Sequence, residues 1–310
     1  MRKALLLYNP LSGTRQGRRL NQVESAQAVL RAGGVTVTST PTAGPSDAAS
    51  QVRQAISEGC DTVFACGGDG TVHDVVQGLV GSDGVLGVIP LGTANSLAND
   101  LGLPQSPASA ARVALTAKPH RIAVGQVVYQ NFQGEKSARY FTVTAGVGVD
   151  AHLFYKLNPM AKRHLGMAAY YAKATRLWLT HRMENFAVEL EGDVAKSAEV
   201  SQLLAVRIRH FGGVLRELAP GASLDRDDLR LVLFHTRSRA AYLGYVLRGL
   251  LGVKWQIPGI ELLHASRVNC SLLVPRSSRI FVEADGELLG TLPVKISVVA
   301  DALTILAPPV

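Results

Sequence analysis

Three glycines in four residues, Gly67-Gly68-Asp69-Gly70, followed by Thr71, constrain this chain more tightly than any other stretch. The short apolar run 61–66 before them reads as a buried strand. After them, Val72, Val75, Val76, Leu79 and Val80 recur at helical spacing. A strand, a glycine turn and a helix aim backbone N–H groups at an anion. The glycines permit positive φ and let a phosphate approach the main chain. Asp69 is out of place there. A carboxylate repels a phosphate unless a cation lies between them, and the natural cation is Mg²⁺ carried by a nucleotide. A second copy of the layout comes next. Residues 85–90 form a strand, Leu91-Gly92-Thr93-Ala94-Asn95 a tight turn, and Ser96 opens another helix. Each turn alone reads equally well as an ordinary strand-to-helix connection. Two in succession present polar turns to one crevice, where open α/β sheets bind ligands, and so point to a nucleotide site.

The flanking sequence repeats the unit. Residues 4–8 read as a strand ending in Asn9-Pro10-Leu11-Ser12-Gly13, and this turn, with Arg15, Arg18 and Arg19 just after it, reads either as a third loop of the crevice or as a simple strand-to-helix turn with a solvated basic start. A helix over 20–31, a strand over 35–40, a loop over 41–46 and a helix over 108–117 complete the first part. Repeated β-then-α units of this length imply a parallel sheet. From Ile122 the texture changes to short strand-like segments at 123–129, 140–145, 187–191, 201–208 and 230–234, separated by glycine and charged turns. They predict an antiparallel second domain of the sandwich kind.

Composition narrows the classes. The 310 residues give room for two cores, and 47% apolar content excludes a disordered chain. No run of 18 apolar residues exists, so no spanning helix is expected. The start, Met1-Arg2-Lys3 and then Ala4-Leu5-Leu6-Leu7-Tyr8, mimics a signal peptide but is too short and reads better as the first strand. Cys60, Cys66 and Cys270 are odd in number and make no C-x-x-C, which fits a reducing cytosol without disulfides or zinc. The net charge of +8 favours anionic partners. Nucleic acid is disfavoured, because aromatics are only 6% and no basic block is interleaved with them.

Two helical stretches bear on membranes. In 159–182, Lys162, Lys173 and Arg176 fall within a narrow arc, with Met167, Tyr171 and Trp178 nearly opposite. The stretch reads either as a surface helix or as one lying on a membrane with its basic residues toward lipid phosphates. Leu243, Leu247, Leu250 and Leu251 form a core-like pattern that reads equally as the lining of an acyl pocket.

The glycine turn 67–71, the Gly92-Thr93-Ala94-Asn95 turn and Asp285-Gly286-Glu287 resemble the diacylglycerol kinase catalytic-domain family of lipid kinases. NAD kinases and phosphofructokinases share the first turn, and no Walker A pattern occurs. The resemblance covers nearly the whole chain. It implies an α/β nucleotide-binding domain over 1–122, with a returning strand at 300–310, and a β-sandwich lipid-substrate domain over 123–299 with helical insertions. It implies Mg²⁺–ATP held by Asn9, Pro10, Ser12, Gly13, Thr42, Gly67, Gly68, Asp69, Gly70, Thr71, Gly92, Thr93 and Asn95. Asp69 would position the metal-bound phosphates. Asp285 or Glu287 would take the proton of a lipid hydroxyl, and Glu287 is the favoured base because an aspartate before Gly286 is apt to bind local backbone.

Gly146-Val147-Gly148-Val149-Asp150 and the glycine-rich stretch from Phe211 also resemble family segments. Tight packing and a bulged hairpin explain them equally. Three positions depart from the bacterial pattern. Ser96 and Ala123 stand where the family has aspartates, and Arg226 at its magnesium-linked aspartate. Asp225 and Asp227 are the remaining candidate ligands there, unless Arg226 replaces the cation. The expected protein is a cytoplasmic lipid kinase in peripheral contact with anionic membrane, for which a homodimer is allowed. A noncatalytic nucleotide- or lipid-binding regulator and a soluble NAD kinase-like enzyme are the alternatives.

Overall fold

The computed structural model describes residues 1–10, 16–42, 44, 47–149, 151, 183–191, 196–212, 217–253, 255–274 and 279–308. The chain divides into two compact units, one of Met1–Val124, His210–Gly213 and Val299–Val310, the other of Gly125–Arg209 and Val214–Val298. Ser12 and Gly13, the basic arc Lys162, Lys173 and Arg176, its apolar counterpart with Trp178, and Asp150 lie outside the described residues.

The first unit alternates strand and helix: β1 (Lys3–Tyr8), α1 (Gln16–Ala32), β2 (Thr36–Pro41), α2 (Asp47–Ser57), β3 (Thr62–Gly67), α3 (Asp69–Leu79), β4 (Val85–Pro90), α4 (Ser96–Asp100) and α5 (Pro107–Thr116). The four strands are parallel in the order β2-β1-β3-β4. Beyond them, Thr304 and Ile305 pair in parallel with Val85 and Leu86 of β4. All six residues of β3 are buried, as a central parallel strand covered on both faces requires. Helices α1 and α5 pack together, as do α2 and α3. Leu6, Phe64 and Ile89 of the sheet meet Val23, Leu30, Ala110 and Ala114 of α1 and α5 in one core. Val72, Val75, Val76 and Leu79, the helical stripe read from sequence, are the buried face of α3.

In the second unit the pairings are antiparallel. They begin with β5 (Lys118–Gln130), of which residues 125–130 belong here, and β6 (Lys136–Phe141). Next come β7 (Thr144–Gly148), β8 (Phe186–Glu191), β9 (Lys196–Val200), β10 (Gln202–Val206) and β11 (Leu229–Phe234). Helix α6 (Arg239–Leu251) separates these from β12 (Ile260–Ala265), β13 (Arg267–Leu272), β14 (Phe281–Ala284) and β15 (Glu287–Ala307), whose last part belongs to the first unit. One run of neighbours is β12-β11-β10-β7-β14-β15, and β13, β8 and β9 follow one another from β15. The core between them draws on Phe141, Val147, Phe186, Leu203, Leu231, Val268, Val282 and Ile296. An α/β unit with a parallel sheet and an antiparallel sandwich are the architectures expected.

Two local readings need correction. The run 140–145 is not one strand, because β6 ends at Phe141 and β7 starts at Thr144. The backbone N–H groups of Thr142, Val143 and Thr144 turn to the Asp285 carboxylate instead of a neighbouring strand. Nor do the leucines of α6 form a core stripe, since Leu243, Leu247 and Leu251 are 50%, 41% and 62% exposed. The buried face is Tyr242, Tyr245, Arg248 and Gly249. It wins because the two tyrosines stack on Phe234, at ring-centroid distances of 4.4 and 5.1 Å, and their hydroxyls find Ser201 and the Leu218 carbonyl. A leucine face offers no such polar partners.

Gly148 is a packing glycine. Its φ is 111°, and a Cβ there would stand 2.6 Å from the Ser201 carbonyl oxygen. Gly212 is similar, with φ 79° and a Cβ position 1.8 Å from the Asn99 amide nitrogen.

Candidate active site

Parallel pairing places the polar turns of the first unit along one edge. Tyr8 is in register with Pro41 and Cys66, and Gly67 with Pro90. The next residues in each strand, Asn9, Thr42, Gly68 and Leu91, therefore emerge side by side at the carboxyl ends. The chain goes from β1 outward to β2 on one side and to β3 on the other, so β1 and β3 flank the point where strand order reverses. That is where open α/β sheets bind ligands.

The two glycine turns touch. A Cβ at Gly92 would lie 2.5 Å from Gly68 Cα, and one at Gly67 would lie 2.1 Å from the Thr71 hydroxyl. A side chain at Gly92 would push the turns apart and one at Gly67 would strike Thr71 within its own turn, so the glycines serve close approach. Leu91 N–H donates to the Gly67 carbonyl at 2.8 Å and ties the turns further. Gly68 is the N-cap of α3, so Asp69, Gly70 and Thr71 form its first turn, whose N–H groups have no intrahelical acceptor. Asn95, at φ 51°, adopts the left-handed conformation that asparagine tolerates. Its side chain accepts from Gly92 N–H at 2.8 Å and donates to the Gly92 carbonyl and to Gln105. Thr93 is exposed at the tip, and Pro10 is exposed after β1.

Asp69 has a job that local sequence does not reveal. Its Oδ1 accepts the N–H of Ser96 at 2.6 Å, so the carboxylate of one turn caps the helix that follows the other. A metal is thus not the sole reason for a carboxylate in this turn. Arg19 has a place that its neighbours in sequence do not reveal either. It is buried rather than solvated, and its guanidinium donates to the Leu91 carbonyl at 2.9 Å. No local signal distinguishes it from Arg15 and Arg18.

In the second unit, Asp285 and Gly286 form a two-residue hairpin turn between β14 and β15, with φ values of 49° and 84°. Asp285 uses both carboxylate oxygens on backbone, accepting from Thr142, Val143 and Thr144 at 2.9–3.0 Å. Glu283, 1% exposed, accepts from Gly286 N–H at 2.8 Å and closes the turn from inside. Glu287 is exposed, and its side chain has no hydrogen-bond partner among the described residues.

In the loop before β11, Asp225 and Asp227 are exposed, and among the described residues no group of three metal-ligating side chains converges. The loop carbonyls of Leu224, Arg226 and Asp228 accept instead from the guanidinium of Arg207, at 3.0, 2.7 and 2.5 Å. Arg207 is 1% exposed. Burial pushes its pKa down to about 10, against the opposing pull of Asp228, Asp227 and Asp225, so it stays charged at neutral pH. Arg226, the residue at the family's aspartate position, points its charge at Asp228. Burial works against ionising Asp228, but Arg226 and His264 outweigh it and hold the carboxyl below its usual range. The internal cation under this loop is therefore Arg207. Replacing it by methionine leaves three carbonyls without their donor and should cost about 3 kcal/mol in a urea unfolding curve. An unchanged midpoint would show that the loop is braced from elsewhere.

Residues 3–127 match the family described as Diacylglycerol kinase catalytic domain. Residues 142–307 match the YegS C-terminal NAD kinase beta sandwich-like domain. A diacylglycerol kinase of Bacillus subtilis (strain 168) is 30% identical over 296 residues, 94% of this chain and 92% of that one. This chain belongs to the diacylglycerol kinase catalytic-domain family. A diacylglycerol kinase of Mycobacterium tuberculosis (strain ATCC 25618 / H37Rv) is 29% identical over 99% of this chain and 95% of its own. Among solved structures, a diacylglycerol kinase from Bacillus anthracis str. Sterne superposes with TM-score 0.71 at 21% identity, covering 99% and 97% of the two chains. Yeast NADH kinase in complex with NADH superposes with TM-score 0.53 at 12% identity, covering 100% of this chain and 84% of that one, a likeness of fold alone. Lipid kinase, the enzyme class expected from the sequence, is the class of this family.

Proposed function

We propose that the chain transfers the γ-phosphoryl group of ATP to a hydroxyl of a membrane lipid of the diacylglycerol or sphingosine kind. The observation that carries this reading is the direct backbone contact of Gly68 with Gly92, at a sheet edge where Asn9 and Thr42 also emerge. Such an edge suits a triphosphate, because first-turn N–H groups of α3 and a crowded glycine backbone accept oxygen ligands without steric cost. Nucleotide-borne Mg²⁺ would neutralise the phosphates when bound. Asn9, Thr42, Thr71 and Thr93 orient the nucleotide, and Asp69 keeps the two turns in place. Glu287 takes the proton of the lipid hydroxyl as its oxygen bonds to γ-phosphorus and the bond to the departing ADP breaks. Asp285 positions the hairpin rather than accepting the proton.

Relatives named diacylglycerol kinase over nearly the whole chain support a lipid acceptor. Among the described residues no helix is long and apolar enough to cross a membrane. A peripheral, cytoplasm-facing enzyme that meets its substrate at an anionic bilayer fits these features. The test is transfer of radiolabelled phosphate from ATP onto a panel of diacylglycerol, sphingosine, ceramide and NAD, the lipids in detergent micelles. Label in one lipid is expected. Label in NAD alone would establish the soluble-kinase alternative, and no label in any acceptor would leave a nucleotide- or lipid-binding regulator.

A further inference from the structure

The outward face of α6 and the cavity beside it have no part in the phosphoryl transfer proposed for the glycine turns and Glu287. Leu243, Val246, Leu247 and Leu251 stand at i, i+3, i+4 and i+8, one apolar stripe turned to solvent. Val253 and Trp255 continue it, 39% and 44% exposed. These six are more than half of the eleven large exposed hydrophobic side chains among the described residues. Scattered apolar exposure is normal, but a concentration of this kind marks a contact surface.

The cavity, of about 770 Å³, is lined by Arg230, Arg248, Trp255, Ile257 and Leu262 among others. Arg248 is 7% exposed, lies 4.7 Å over the Tyr245 ring and donates to the Leu218 carbonyl at 3.2 Å. The buried Nε of Arg230 has no hydrogen-bond partner among the described residues. Glu261 also lines the cavity, but Lys196 and His235 take its charge at 2.7 and 2.9 Å. Asp228, whose charge reaches Arg230 through space, is held by Arg226 and His264. Residues 229–260 contain Arg230, Arg237, Arg239, Arg248 and Lys254 and not one Asp or Glu. Burying guanidinium groups beside apolar walls costs free energy unless an anion completes them.

We propose that this surface seats the protein on an anionic phospholipid bilayer, with the α6 stripe and Trp255 in the interface and a lipid phosphate held in the cavity by Arg230 and Arg248. Guanidinium groups suit phosphate because their paired N–H donors match its oxygens. Apolar stripe, tryptophan and basic flank together are what an interfacial helix needs. The choice of lipid as occupant rests on the lipid-kinase reading, but the test does not depend on catalysis.

Full-length protein without nucleotide is sedimented with phosphatidylcholine vesicles, with and without phosphatidylglycerol. Binding should be weak to phosphatidylcholine alone and about tenfold or more stronger with phosphatidylglycerol, and in a Trp178→Phe background the Trp255 emission should shift to the blue. Leu247→Glu with Leu251→Glu, both at exposed positions, should weaken anionic-vesicle affinity about tenfold or more. Arg230→Gln should weaken it while leaving weak binding to neutral vesicles unchanged. Parental binding by either variant overturns the proposal. So does a parent that is dimeric in sedimentation velocity and becomes monomeric with the glutamates, because the stripe is then an interface between copies. Binding of soluble glycerol phosphate with no vesicle binding also overturns it. Vesicle binding by a protein that labels no lipid would sink the kinase reading and leave the docking surface standing.

Discussion

Glu287→Gln should lower turnover by roughly 10²–10⁴-fold, the usual range for losing a general base, with little change in the Michaelis constant for ATP. The substitution keeps shape and hydrogen bonding and removes only the capacity to take a proton. Glu287 is exposed at the start of β15, so the thermal midpoint should not move. Asp285→Asn is the informative partner. An amide in place of that carboxylate sets one NH₂ against the N–H groups of Thr142, Val143 and Thr144, which now donate to both carboxylate oxygens. A stability loss of about 1–3 kcal/mol is expected, visible in the melting curve, with a smaller loss of turnover while the protein is folded. A larger kinetic loss at Asp285 under folded conditions would make that residue the base. Near-parental lipid phosphorylation in both variants would remove the hairpin from the chemistry.

Asp69→Ala should cost about 10²-fold or more in kcat/KM for ATP, since misplacing a substrate by about an ångström is enough for such a loss. Two causes are separable. Alanine deletes the acceptor for Ser96 N–H, a buried donor, and so loosens the contact between the glycine turns. It also deletes a negative charge that a nucleotide-borne Mg²⁺ would meet. Asp69→Asn keeps an acceptor for Ser96 and drops the charge. If Asn restores the melting temperature but not turnover, the charge acts on the metal-bound phosphates. If it restores both, Asp69 is a brace and the metal role falls. Steady-state kinetics with ATP varied, alongside melting curves, decide between these outcomes.

The features legible in the sequence are those that depend on near neighbours along the chain. The strand at 85–90, the glycine turns at Gly67–Thr71 and Gly92–Asn95, and the α3 stripe of Val72, Val75, Val76 and Leu79 are set by period, turn chemistry and local sterics. Alternation of such units is enough to dictate a parallel sheet, and a parallel sheet brings the polar turns to one edge. The hairpin at Asp285-Gly286 is similarly local, because both residues must take positive φ.

Tertiary structure alone decided where charge and exposed surface went. Asp69 could be read only as a metal-facing carboxylate until Ser96, 27 positions on, came within 2.6 Å. Asp285 was expected to bind local backbone, yet its donors are more than 140 positions away. For the loop before β11 the sequence offered Arg226 in place of a cation or Asp225 and Asp227 as ligands, and neither reading pointed to Arg207, from the segment just after β10, whose guanidinium holds three carbonyls of the loop. For α6, period alone allows a leucine face or a tyrosine-arginine face to turn inward, and Phe234, Ser201 and the Leu218 carbonyl chose the second. The sequence determined the periods and the turns because those arise from sterics within a few residues. Which polar group meets which, and which face is buried, depends on hydrogen bonds and packing between segments far apart in the chain, and the folded structure decided them.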